Sequence, residues 1–239
     1  MRRGWHCILT KREQKDDDSS SFIGGKPCIP IDIPLPICMI CGEPLTFFFQ
    51  IAFPKEHMWA GKSLAFFYCT SAYDKHNDKQ QFPPKLIGNS VVADGVLEPN
   101  SYQTLFRAVY FDTEKGVMRE DYKGRVVYQR IDWVRIKKKD PSIPLTLAGE
   151  PVWLGYGNER PKIYEGKKME LVLQVAERFR FDKYPDAPSQ MDEFSCIGEG
   201  PRYPRKENNY TFFFDHNRVY LWATKERENP VFGLNVQPD

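Results

Sequence analysis

No apolar run in this 239-residue chain approaches the roughly 18 residues expected of a membrane span. The start, Met1–Arg2–Arg3–Gly4–Trp5–His6–Cys7, is basic but has no apolar stretch behind it, which argues against a secretory signal. An excess of one charge is also missing: acids and bases are interspersed, and the net charge is only +2. That speaks against a general nucleic-acid binder, which carries a basic face. The chain has no P-loop, no GxSxG and no HExxH. His6 and Cys7 are neighbours, so in an extended chain their side chains diverge and make a poor base–nucleophile pair. His216 falls in a predicted turn, and Asp182, Asp186, Asp192 and Glu193 fall in a polar excursion that reads as a solvated or partner-facing loop. These absences point away from an enzyme.

Long amphipathic helices are lacking too, with short helical stretches expected only around 98–104 and 186–194. Aromatic residues are plentiful instead, at 14%. Phe, Tyr and Trp suit a pleated, half-buried surface, so a mainly β fold is expected. Strand candidates are 45–53, 63–69, 104–111, 125–136, 169–176, 210–215, 218–223 and 231–236. Asn209–Phe214 and Arg218–Trp222, joined by Asp215–His216–Asn217, read as a β-hairpin. Residues 1–20 turn quickly polar and read as a flexible N-terminal arm or loop, because little apolar surface opposes the entropy of ordering. Gly24–Gly25–Lys26–Pro27, with prolines at 30, 34 and 36, forms an extended segment. Residues 74–100 and 178–208 read as long polar loops on the β scaffold, where binding functions tend to sit.

Offsetting the chain against itself by 124 positions aligns Ile23–Gly24–Gly25–Lys26–Pro27 with Leu147–Ala148–Gly149–Glu150–Pro151. The same offset pairs Gly42 with Gly166 and Gln50 with Gln174, and lays FFFQIA on LVLQVA. Beyond an insertion, Phe66–Phe67–Tyr68 meets Phe212–Phe213–Phe214. The expected organisation is therefore an internal duplication: a first β unit over 21–140 and a second over 141–239, joined into one globular body with few short helices. Gly25 and Gly149 serve backbone geometry. Gln50 and Gln174, amides inside apolar strands, are expected to bond loop backbone and fix each strand to its GGxP segment.

Six cysteines in a chain this long read as thiols or metal ligands of a reducing cytoplasm. Cys38 and Cys41 form a CxxC turn, and Cys69 ends the second strand candidate. Three thiolates so placed would fill three tetrahedral positions of a structural zinc, with His76 as fourth ligand and Asp74, Cys28 or His57 as substitutes. The alternative is a set of buried thiols. Ala72 stands where a second CxxC would close, and Lys162 and Glu165 replace the first pair in the second unit.

Gly24–Gly25–Lys26–Pro27, CxxCGxPLxFFFQ, LAFFYC and Asn208–Phe214 with Arg218–Val219–Tyr220 resemble the YwqG-like family, over most of 22–236. The same motifs resemble the C-terminal region of programmed cell death protein 2. The resemblance implies an internally repeated, mainly β fold without established catalysis. It also implies one of two binding roles: an immunity protein that blocks a cognate toxin of type VI or contact-dependent systems, or a chaperone for a ribosomal or other basic protein. An uncharacterised enzyme is the remaining alternative.

Overall fold

The computed structural model describes residues 4–15, 20–38, 42–70, 106–138, 140–154, 163–164, 166–190, 208–211 and 217–238. The first half of the chain supplies β1 (Gly4–Thr10), β2 (Ser21–Ile23), β3 (Cys28–Ile29), β4 (Thr46–Ala52), β5 (Lys62–Tyr68), β6 (Phe106–Asp112) and β7 (Val117–Met118). Then come β8 (Gln129–Arg135), β9 (Leu145–Ala148), β10 (Ile163–Tyr164), β11 (Lys167–Val175), β12 (Arg180–Asp182), β13 (Asn209–Thr211), β14 (Asn217–Thr224) and β15 (Phe232–Pro238). The fold is mainly β. Among the described residues the helical content is one 3-10 turn, Thr113–Lys115. The stretch 98–104 lies outside the described residues, and 186–190 is turn and irregular chain rather than helix, with Ala187 N–H donating back to Tyr184 O.

One antiparallel sheet runs β15-β14-β11-β9-β1-β8-β2-β4-β5-β6, with β10 attached to β11. It curls until its two ends meet at one corner. Tyr110 of β6 packs its ring 6.0 Å from that of Phe232 on β15 and donates its hydroxyl to Arg227 O at 2.7 Å. Arg227 in turn donates to Met58 O and Ala60 O, and Trp59 packs on Phe232. The sheet is thus nearly closed. Thr46 to Ile51 are all buried, so this apolar run carries no alternation: both faces of β4 are covered. Phe49 stacks on Phe66, and Phe66 on Phe106, through three adjacent strands.

Residues 4–10 depart from the expected arm. They form β1, held between β9 and β8, with Trp5 and Cys7 buried. The local apolar surface is small, as the sequence suggests, but strands more than a hundred residues away supply both ladders. Arg135 lies 4.5 Å over the Trp5 ring and covers it further. The predicted hairpin is also different. β14 has β11 on one side and β15 on the other, so neither edge is left for residues 209–211, which pair instead with β12. β14 pairs with β11 as β5 pairs with β4, while Phe212–Phe214 and the expected turn at 215–216 lie outside the described residues. Part of the loop expected over 178–208 is structural as well: Phe181 is buried and packs edge-on against Phe48 at 4.9 Å.

The two sides of the sheet, β8-β2-β4-β5-β6 and β1-β9-β11-β14-β15, repeat fine detail. The ladder of β4 on β5 skips a residue between Phe47 and Phe49, and that of β11 on β14 between Leu171 and Leu173. Gln50 Oε1 accepts the Cys28 N–H at 3.0 Å, and Gln174 Oε1 accepts the Val152 N–H at 3.0 Å. Left-handed backbone falls at Gly24 and Gly25 (φ 62° and 68°) and again at Ala148 and Gly149 (φ 53° and 83°). Ala148 holds this conformation with a Cβ, at a cost of about 1–2 kcal/mol. Ala148→Gly is expected to stabilise the fold by about 0.5–1 kcal/mol net of the added unfolded-state freedom, read from the urea midpoint at constant m.

Candidate functional site

The turn that carries Cys38 is built by local bonds. Ile37 bridges Pro44, Cys38 N–H donates to Glu43 O, Gly42 N–H donates to Cys38 O, and Leu45 N–H donates to Pro36 O. Gly42 takes φ 76° to close it. The register Thr46 opposite Tyr68 brings Cys69, at the end of β5, to the same end of the β4–β5 hairpin as Cys38, and both are buried. Cys41, His76 and Asp74 lie outside the described residues. Among the described residues, no three His, Cys, Asp or Glu gather as a metal would require.

The proposed substitutes Cys28 and His57 sit elsewhere in the fold. Cys28 belongs to β3, its N–H bonded to Gln50. His57 lies in the β4–β5 loop, stacked 4.6 Å from Phe53 and close to Trp5 and Trp59. Its Nδ1 accepts the Trp59 N–H at 3.2 Å. Burial disfavours the imidazolium and pushes the His57 pKa down to about 4. Between pH 6.5 and 4 the unfolded chain therefore takes a proton that the folded chain refuses, so stability rises with pH across that window. Wild-type protein is expected to lose about 3 kcal/mol through this residue on going from pH 7 to pH 4. His57→Phe should flatten that part of the profile, measured by urea midpoints over the pH series.

Cys7 is a buried thiol that accepts the Leu145 N–H at 3.3 Å, and burial pushes its pKa up to about 11. A thiol so held stays protonated near neutral pH.

Beside the cysteine turn, and on the strip that leads to it, the chain exposes several apolar side chains. Prolines 27, 30, 34 and 36 cannot donate to a ladder, so β3 ends after two residues. The strip beyond it is not extended throughout as expected, but turns at 31–33, where Ile33 N–H donates back to Pro30 O at 3.1 Å, and runs on irregularly until Ile37 bridges Pro44. β3 pairs with β7, Ile29 opposite Val117. Ile31 is 70% exposed, Ile37 59% and Val117 52%. Arg119, itself buried, holds the strip from below: its guanidinium donates to Ile33 O and pairs with Asp121 at 2.7 Å, and its N–H donates to Pro27 O. The pairing with Arg119 holds the Asp121 carboxyl below the usual range.

The strip ends in a cleft of about 320 Å³, walled by Leu35, Pro36, Ile37, Pro44, Tyr122 and Pro188. Lys123 and Asp186 close one rim with a 2.8 Å ion pair. Exposed isoleucine beside an apolar cleft with a charged rim is the anatomy of a protein-binding patch. Covering Ile31 and Ile37 with a partner returns about 1.5–3 kcal/mol each.

Sequence reasoning missed this patch. The proline spacing signals an extended segment but not the turn at 31–33, and the part played by Arg119, Tyr122 and Arg125 has no local signal, because each meets residues some 75 or more positions away. No helix among the described residues is long and apolar enough to cross a membrane. No protein-family model, curated protein or solved structure matches the chain.

Proposed function

We propose that this chain is a non-enzymatic, cytoplasmic protein-binding inhibitor: an immunity protein that neutralises a cognate toxin of a type VI secretion system by stoichiometric binding. The observation that carries the reading is exposed Ile37 on the wall of the proline-rich cleft, with Ile31 and Val117 also exposed on the neighbouring strip and β7. Its resemblance in motif to YwqG-like proteins supports the choice of a toxin as partner over nucleic acid, as does the near-neutral charge. The test is co-expression with a candidate toxin captured by affinity pull-down from the native host. Growth rescue and a one-to-one complex on gel filtration are expected. Ile31→Glu combined with Ile37→Glu should abolish both while leaving the melting temperature unchanged. No rescue and no complex would sink the proposal, and release of a bound nascent basic protein would favour a chaperone instead.

Two further readings belong to the scaffold. The first is an internal duplication with units over 21–140 and 141–239, in which β1 adds a strand between the two, beside β9 and β8. The matching bulges, glutamine bonds and left-handed turns support it. The second is a structural zinc held by Cys38, Cys41, Cys69 and His76. The shared location of buried Cys38 and Cys69 supports it. Bound zinc would clip the turn to the end of β5. About one zinc per chain is expected in protein purified without added metal; near-zero zinc with every thiol titrating would end the idea.

A further inference from the structure

Gly25, Thr46 and Phe47 on one side of the sheet have Gly149, Glu170 and Leu171 as their positional counterparts on the other, each pair sharing its place relative to the glutamine bond and the bulge. In the first set all three are covered by one short segment. Tyr122 Oη accepts the Phe47 N–H at 2.7 Å and its ring meets the Phe47 ring edge-on. Gly124 lies directly on the Gly25 backbone, where even a Cβ would come within 3.1 Å of Gly25 O. Arg125 reaches over the rim and donates to Thr46 Oγ1 and Pro44 O.

In the second set the same three positions line a cavity of about 410 Å³. The β4–β5 loop completes its wall with Glu56, His57 and Met58, and Met58 is 46% exposed. This cavity shares no lining residue with the cleft beside the cysteine turn. Its rim carries a carboxylate that the first side lacks: Glu170 stands where the first side has Thr46 and pairs with Lys225 at 2.9 Å, while Glu56 is paired with Arg135 at 4.0 Å.

We infer that this cavity is a docking site for an extended segment of a partner protein, one that presents a tyrosine and, three residues on, an arginine or lysine. The tyrosine ring fills the space over Leu171 as Tyr122 does over Phe47, with its hydroxyl against the Leu171 backbone. The basic side chain crosses the rim toward Glu170, where a carboxylate replaces the neutral hydroxyl of Thr46 and strengthens the contact. Use of this site does not depend on the toxin reading, because it needs only the partner's chemistry.

The probe is a labelled peptide with the sequence of residues 119–127, titrated into the full chain by fluorescence anisotropy. Saturable binding is expected, weakened at least about tenfold when the peptide's tyrosine is replaced by alanine. Glu170→Gln in the protein should weaken it about threefold or more and reduce its salt dependence. Met58→Arg, at an exposed position, should block the cavity with the melting curve unchanged. The inference is overturned by absence of saturation at about 1 mM peptide, by binding that survives Met58→Arg, or by binding that appears only after residues 1–3 are deleted. The last result would make the natural occupant the chain's own N-terminus rather than a partner.

Discussion

Gly24→Ala is expected to cost roughly 3–5 kcal/mol, or to prevent folding outright. Two effects add. At φ 62° a side chain pays for left-handed backbone, and a Cβ there would stand 2.4 Å from Val126 O and 2.5 Å from Val127 O. Neither carbonyl is free to retreat: Val126 O accepts the Gly25 N–H at 2.8 Å, and Val127 N–H is tied to Asp182 O at 2.7 Å. Gly42→Ala separates the two effects, since at φ 76° nothing lies within 4 Å of its Cβ, and only the conformational cost of about 1 kcal/mol should appear. Ala148, with φ 53°, indicates that the fold tolerates that cost alone. Equal urea midpoints for the two glycine variants would contradict the assignment of the larger effect to the carbonyl clash.

Glu177→Leu is expected to cost about 3–5 kcal/mol, more than Arg218→Met at about 1–3 kcal/mol. Arg218 is fully buried on β14. Its Nε donates to Glu177 at 2.6 Å, Nη1 to Val152 O at 3.1 Å and Nη2 to Pro141 O at 2.9 Å, with Nη2 also paired to Glu177. Removing Glu177 leaves a guanidinium in the interior with no counter-charge. Removing Arg218 leaves a carboxylate whose side chain is 23% exposed and still reaches water, while Val152 O keeps its 2.6 Å bond from the Tyr220 hydroxyl. A double-mutant cycle in urea should find the pair variant close to Arg218→Met alone. Arg218→Met costing as much as Glu177→Leu would show that the guanidinium's backbone contacts, and not its charge pairing, dominate.

The β class was legible because it depends on local composition. Runs such as TFFFQIA and KSLAFFY are too short and too bulky to be helices and are bounded by turn formers, and they form β4 and β5 within a residue of the expected limits. Gly25 and Gly149 were legible for the same reason: positive φ is a single-residue property that glycine alone adopts cheaply. What misled was the assumption that a segment's own apolar content decides whether it is ordered. Residues 4–10 look insufficient in isolation, yet they occupy the centre of the sheet because β8 and β9 supply the burial. The partners of β14 were set in the same way: the expected hairpin pairs it with 209–214, but β11 and β15 hold its edges and 209–211 pair with β12, residues 212–216 lying outside the described residues.

By itself the sequence determined the kind of secondary structure, the sharp turns, and the presence of a cysteine turn feeding an aromatic strand. Those follow from backbone sterics and side-chain shape within a few residues. Only the tertiary structure decided which strands are neighbours, that Arg119 and Arg218 are interior clamps, that Ile31 and Ile37 are exposed, and that one rim of the sheet is covered by Tyr122 while its counterpart opens into a cavity lined by Glu170. Each is a contact between residues tens to more than a hundred positions apart. Its energy depends on what stands opposite, which the identity of the residue does not specify.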